Sequence, residues 1–95
     1  LYTRTRDFYR EFADALSLLD EVVLVDIYPA RELPIEGVSS RLIYDCLRPG
    51  MRRSMIRKED VLETVRGLDT DVLITLGAGD IDDYAKDIAS IVSGW

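Results

Sequence analysis

The chain has 95 residues, 47% of them hydrophobic and 32% charged, which suffices for one modest core and excludes a disordered segment. Its 12 Lys and Arg stand against 18 Asp and Glu, and a net charge of -6 argues against a dedicated nucleic-acid binder, because phosphate recognition concentrates positive charge. With one cysteine, Cys46, and no histidine, the chain can form neither an internal disulfide framework, nor a Cys-rich zinc site, nor a histidine-activated nucleophile of its own.

From about Arg6 to Leu18, the spacing of Phe8, Phe12, Ala15, Leu16 and Leu19 predicts a helix with one apolar face, with Thr5 as N-cap and Asp7 in its first turn. The β-branched run Val22 to Ile27 predicts a strand buried on both faces, as in a parallel sheet covered by helices. Tyr28-Pro29 closes it, because proline lacks an amide donor. A polar loop from Ala30 to Ser39, broken by Pro34 and Gly37, leads to a short helix with Leu42, Ile43, Cys46 and Leu47 on its inner face. Pro49-Gly50 ends that helix, and Met55 and Ile56 suggest a short strand of uncertain limits.

Glu59 to Arg66 reads as a helix with Val61, Leu62 and Val65 inward and Gly67 as its stop. Val72 to Leu76 is the second strong strand candidate. Gly77-Ala78-Gly79 follows, and then a helix from about Ile81 to Val92, capped by Asp80, with Ile81, Tyr84, Ala85, Ile88, Ala89 and Val92 as its inner stripe. This alternation of helices and strands defines an α/β layer architecture in one domain spanning residues 1 to 95. The chain opens on Leu1 and on a helix, which reads as a fragment whose first sheet element has been cut away. No apolar run approaches the ~20 residues that span a bilayer, and no signal core is recognisable, so the expectation is a cytoplasmic protein without membrane association.

Several residue groups can carry chemistry. Tyr2, Thr3 and Arg4 lie just before the first helix, where arginine donors suit a carboxylate or phosphate; the plainer reading is an exposed helix lead-in. Asp26 and Tyr28 lie beyond a strand's carboxyl end, where open α/β sheets collect ligands, although Asp and Pro also simply mark turns. Gly77, Gly79 and Asp80 form the equivalent turn after the second strand; Gly77 and Gly79 permit close backbone approach, but Asp80 would compete with an anion, and a structural turn beside a pocket is the simpler reading. A lone GxG is not a dinucleotide fingerprint, and no GxxxxGK[ST] loop occurs. Residues 41 to 60 carry six basic and three acidic side chains, but Arg52, Arg53, Arg57 and Lys58 lack interleaved aromatics and read as a solvated edge or interface. Cys46 reads as a core residue rather than a nucleophile, and Asp82 and Asp83 as first-turn charges of a helix. No metal site is expected within the chain.

Taken together, LYTRTRDFYREFADAL, VVLVDIYPARELPIEGVSS and VLITLGAGDID span nearly the whole chain and resemble the carboxyl-terminal domain of the Mur ligases, of the kind that joins L-alanine to UDP-N-acetylmuramate. The resemblance implies a three-layer Rossmann-like α/β domain with a mostly parallel sheet, lacking its first strand in this fragment. It implies a bacterial, cytoplasmic, ATP- and Mg2+-dependent enzyme of peptidoglycan precursor synthesis, working through an acyl phosphate. Amino-terminal and central domains of the same polypeptide would hold the UDP-sugar and the phosphate loop, while this domain closes over ATP and the amino acid. Neither cofactor would be retained by the fragment alone, and the fragment alone would be inactive. On these residues the resemblance makes Arg4 the phosphate or carboxylate contact, beside Tyr2 and Thr3, and puts Asp26, Tyr28 and more weakly Glu32 at the nucleotide-facing strand end. The family's histidine before YTR is absent and Leu1 stands where an arginine is often found, which implies an incomplete amino-acid site. Two alternatives remain: a Mur-type ligase attaching a preassembled peptide, and a nonenzymatic nucleotide-binding or interaction domain.

Overall fold

The computed structural model describes residues 2 to 27, 32 to 76, 81 and 84 to 94. The chain divides into two compact units, residues 1 to 56 and 57 to 95. Among the described residues the elements are α1 (Tyr2–Leu16), β1 (Glu21–Val25), α2 (Arg41–Cys46), β2 (Arg52–Ile56), a 3-10 turn (Lys58–Asp60), α3 (Val61–Arg66) and α4 (Ala85–Val92). The α/β class is as expected, with a parallel two-stranded sheet consistent with part of a Rossmann-like fold.

In the first unit β1 and β2 pair in register from Glu21 opposite Arg52 to Val25 opposite Ile56, with α2 as the crossover between them. Ala13 of α1, Val22 of β1, Leu47 and Met51 form the buried core, with Leu16, Leu19, Leu24 and Ile43 packed against it. Within β1 only Val22 is fully buried, so the expectation of burial on both faces is corrected: a two-stranded sheet covers its residues incompletely. The short strand sketched around Met55 proves to run from Arg52.

Helix α1 starts four residues earlier than its apolar spacing suggested. Thr5 is a buried residue inside it, not its N-cap, and Asp7 lies beyond the first turn, paired with exposed Arg6 at 2.9 Å. Its inner face is Tyr2, Thr5, Tyr9, Phe12, Ala13 and Leu16, a different stripe from the one read off the sequence, because Phe8 is 50% exposed and Ala15 faces solvent. Phe8 retains a ring contact with Phe12, the centroids 6.3 Å apart.

Arginines from elsewhere in the unit close the carboxyl ends of both helices, where backbone carbonyls lack helical partners. The Arg48 guanidinium donates to the Ser17 carbonyl at 3.2 Å and the Leu19 carbonyl at 3.4 Å, just past α1, and its backbone amide donates to Ser17 Oγ at 3.0 Å. Arg53 donates to the carbonyls of Tyr44 at 2.8 Å, Leu47 at 3.4 Å, Arg48 at 2.6 Å and Met51 at 3.2 Å. Arg53 is thus half-buried and structural, which corrects its reading as part of a solvated cluster. Arg52 does fit that reading, with its side chain 79% exposed and a loose 3.9 Å pairing to Glu21 across the sheet. Arg57 is likewise exposed, pairing with Asp60 at 3.7 Å, and Lys58 is exposed.

Cys46 is exposed, which corrects its placement in the core. The helix ends there, and Leu47, in extended backbone, turns into the core instead. Between Leu47 and β2, Met51 N–H donates to the Arg48 carbonyl at 3.2 Å across Pro49-Gly50, a type II arrangement with Gly50 at φ 79°. Nothing lies within 4 Å of where a Cβ would stand. Gly50→Ala is therefore expected to destabilise the chain through backbone strain alone, by about 1 kcal/mol, read as a lower urea midpoint with an unchanged slope.

In the second unit α3 packs against α4 through buried Val61, Val65 and Ile88. The strand expected at Val72 to Leu76 does not form among the described residues. A strand needs a ladder partner, and among the described residues of this unit none pairs with the segment, leaving Val72, Ile74 and Leu76 exposed. Leu73 and Thr75 instead line a shallow hollow of about 290 Å³ with Ala85, Ile88, Ala89 and Val92. Of the stripe expected for α4, Ile88 is buried, Ile81, Tyr84 and Val92 are half-buried, and Ala85 and Ala89 are exposed because that hollow stays open. Gly67 ends α3 without a left-handed backbone, its amide donating to the Thr64 carbonyl at 3.1 Å.

Candidate functional site

Parallel pairing brings the carboxyl ends of β1 and β2 to one side of the first unit, where open α/β sheets place ligands. An open hollow of about 330 Å³ lies there, lined by Tyr2 at the start of α1, Asp26 and Ile27 after β1, Val38, Ser39 and Ser40 before α2, and Met55 near the end of β2. The two serines have local duties. Ser40 is buried and its hydroxyl donates to the Val25 carbonyl at 2.6 Å, while Ser39 Oγ accepts the Arg41 amide at 3.1 Å and caps the first turn of α2. Neither was singled out from the sequence as a site residue; a Ser-Ser pair ahead of an apolar helical run was the available signal.

At the start of α1 a side-chain link joins two segments far apart in the chain. Glu32 accepts the Thr3 amide on one carboxylate oxygen at 3.3 Å and the Thr3 hydroxyl on the other at 2.5 Å. The first amides of α1 have no helical partners, and the helix dipole favours negative charge there, so Glu32 serves as the cap that Thr5 was expected to provide. The Thr3 hydroxyl, ahead of the Thr3 and Tyr2 amides, holds the Glu32 carboxyl below its ordinary value of 4.5, against a smaller opposing effect of desolvation. Arg6 faces Glu32 at longer range, its guanidinium held protonated chiefly by its hydrogen bond to Asp7.

The sign of the pH effect follows. A carboxyl whose value is depressed on folding stabilises the fold above its unfolded value and loses that contribution as pH falls through its folded one. The Thr3 to Glu32 link is thus intact at neutral pH and weakens on acidification below about 4.5. Exchange of the Thr3 amide is expected to accelerate there relative to intrinsic rates, and Glu32→Gln should remove that pH dependence.

Of the residues expected to form a site, Tyr2 and Asp26 share the hollow, and Thr3 and Glu32 are bonded to each other. Arg4 is exposed and does not line the hollow; among the described residues no hydrogen bond or ion pair engages its guanidinium. Tyr28, Gly77, Gly79 and Asp80 lie outside the described residues, as do Asp82 and Asp83. Among the described residues no group of three or more His, Cys, Asp or Glu side chains could hold a metal ion, and Asp26 stands without acidic companions in the hollow. No helix among them is long and apolar enough to cross a membrane.

The parallel β-α-β unit agrees with the α/β fold that the Mur ligase resemblance implies, and sequence comparison bears the resemblance out. The chain belongs to the Mur ligase family. It is 64% identical over 93 residues, 98% of its length, to the UDP-N-acetylmuramate--L-alanine ligase of Phocaeicola vulgatus. It is 55% identical over 86% of its length to the enzyme of that name from Porphyromonas gingivalis, and 43% identical over 98% to that of Flavobacterium johnsoniae. It covers 20%, 18% and 20% of those three proteins, so the chain spans about a fifth of the length of the curated relatives it matches. No family model matches the chain.

Proposed function

We propose that the chain is the carboxyl-terminal lobe of a bacterial, cytoplasmic, ATP-dependent ligase that joins L-alanine to UDP-N-acetylmuramate in peptidoglycan precursor synthesis. The observation that carries this reading is the 64% identity over 98% of the chain to a protein of that name. In the proposed reaction the γ-phosphoryl of ATP passes to the muramyl carboxylate, releasing ADP. The alanine amine then attacks the acyl carbon, the C–N bond forms, inorganic phosphate leaves and the amine loses a proton. The UDP-sugar and the phosphate loop belong to other domains of the same polypeptide. Magnesium, when bound, supplies charge stabilisation during phosphoryl transfer, and no residue of this chain is assigned to it.

What this lobe contributes is positioning. The α1 amides nearest the hollow are already bonded to Glu32, so an incoming anion meets the guanidinium of Arg4 rather than a free helix terminus. That planar donor fork suits the amino-acid carboxylate or a phosphate, while Asp26 and Tyr2 supply polar groups to the hollow itself. Closure of the lobe aligns the amine with the acyl phosphate and excludes water.

The test is phosphate release and amide formation by the full-length protein supplied with ATP, UDP-N-acetylmuramate and either L-alanine or a preassembled tripeptide. Turnover with L-alanine is expected. Turnover with the tripeptide alone would move the protein to the peptide-attaching ligases, and turnover with neither would favour a binding module.

A further inference from the structure

The side chain of Glu32 was read from the sequence as a weak companion of the nucleotide-facing strand end. Its geometry is different. Both carboxylate oxygens are engaged by Thr3, the residue immediately before Arg4, although 29 positions separate the partners in the chain. Glu32 belongs to the loop that leaves β1, and Thr3 to the first turn of α1, so one carboxylate ties the loop at the sheet's carboxyl end to the segment that presents Arg4.

A first helical turn is the part of a helix most prone to fraying, since its amides lack partners. Arg4 is exposed and nothing among the described residues braces its guanidinium, so the precision with which it is presented depends on the backbone beneath it. Two hydrogen bonds to an ionised group supply that bracing, and charge-assisted bonds are the stronger kind. The same carboxylate fills the helix terminus and keeps a second anion away from it, which directs the ligand to the arginine.

We propose that Glu32 is a positioning residue for amino-acid binding: it clamps Thr3, fixes the first turn of α1 and thereby holds Arg4 in its binding orientation. The proposal rests on the reading of Arg4 as the contact for the alanine carboxylate. It predicts selectivity. Loss of the clamp raises the KM for L-alanine and leaves the sites for ATP and the UDP-sugar, which belong chiefly to other domains, nearly untouched.

The experiment uses full-length wild type, Glu32→Ala and Glu32→Gln. KM and kcat are measured separately for L-alanine, ATP and UDP-N-acetylmuramate, with amide exchange followed in the peptide that contains Thr3. Glu32→Ala should raise the KM for L-alanine about tenfold, with KM for the other two substrates within about twofold and faster exchange at the start of α1. Glu32→Gln keeps an acceptor for the amide and offers its own N–H to Thr3 Oγ1, so it should recover most of the L-alanine KM. An unchanged L-alanine KM in Glu32→Ala overturns the positioning role, as does a uniform rise in all three KM values with general loss of protection, which would mark Glu32 as merely structural. Wild-type exchange at Thr3 as fast as in Glu32→Ala overturns the clamp itself, whatever the enzyme's substrate. Absence of L-alanine turnover in wild type overturns the functional reading, and the positioning role with it, while the exchange comparison still decides the clamp.

Discussion

Arg4→Ala in the full-length protein is expected to lower kcat/KM for L-alanine by about 100-fold, corresponding to about 2.7 kcal/mol of lost transition-state stabilisation. The size follows from the proposed role, a charge-assisted, two-pronged contact to a carboxylate, which is a stronger interaction than a neutral hydrogen bond. Because Arg4 is exposed, its removal leaves no buried group unsatisfied, and the thermal midpoint should move by less than about 1 °C. Arg4→Lys should recover only part of the loss, since an ammonium keeps the charge but not the planar fork. Steady-state kinetics separate the two anions this residue could meet. A KM effect confined to L-alanine identifies the carboxylate, whereas an effect on ATP identifies a phosphate. Kinetics indistinguishable from wild type would remove Arg4 from the site.

Arg53→Ala should produce the largest stability effect, about 2 to 3 kcal/mol, while Arg52→Ala next to it should cost less than about 0.5 kcal/mol. The two arginines are neighbours in sequence and opposites in environment. Arg53 donates to four carbonyls between Tyr44 and Met51 and sits 5.4 Å from the Tyr44 ring centroid; its removal leaves the end of α2 and the turn after it without those donors. Arg52 reaches only Glu21, at 3.9 Å, from a largely exposed position. Urea unfolding followed by far-ultraviolet circular dichroism would measure both. Equal midpoints for the two variants would contradict the role assigned to Arg53.

Local patterns were readable where the determinants are local. The β-branched run at Val22, the Pro49-Gly50 turn and the apolar spacing of Val61 and Val65 each announced the element that forms. The start of α1 was not readable in this way, because its cap comes from Glu32 rather than from an adjacent Ser, Thr or Asp. Arg53 escaped for a related reason: a basic run looks alike whether its guanidinium points to water or into a set of carbonyls. The run from Val72 to Leu76 shows the converse, since strand propensity without a ladder partner among the described residues does not make a strand. At the candidate site, YTR and the acidic residues after VVLVDI were legible as separate strings. Their contact through Thr3 and Glu32 is a property of the fold.

Ala13 has no exposed surface at all and sits where α1 lies against Val22, Leu47 and Met51. It is a pivot. Thr3 lies ten residues away along the same helix, a lever of roughly 15 Å at 1.5 Å per residue, so tilting α1 by ~10° about Ala13 would shift the helix start by about 2.6 Å. That displacement is comparable to a hydrogen bond's length. If Arg4 meets the substrate as proposed, a larger side chain at this position would act on affinity from a distance, and selection for a different amino acid would sample the core at Ala13 as well as the surface at Arg4.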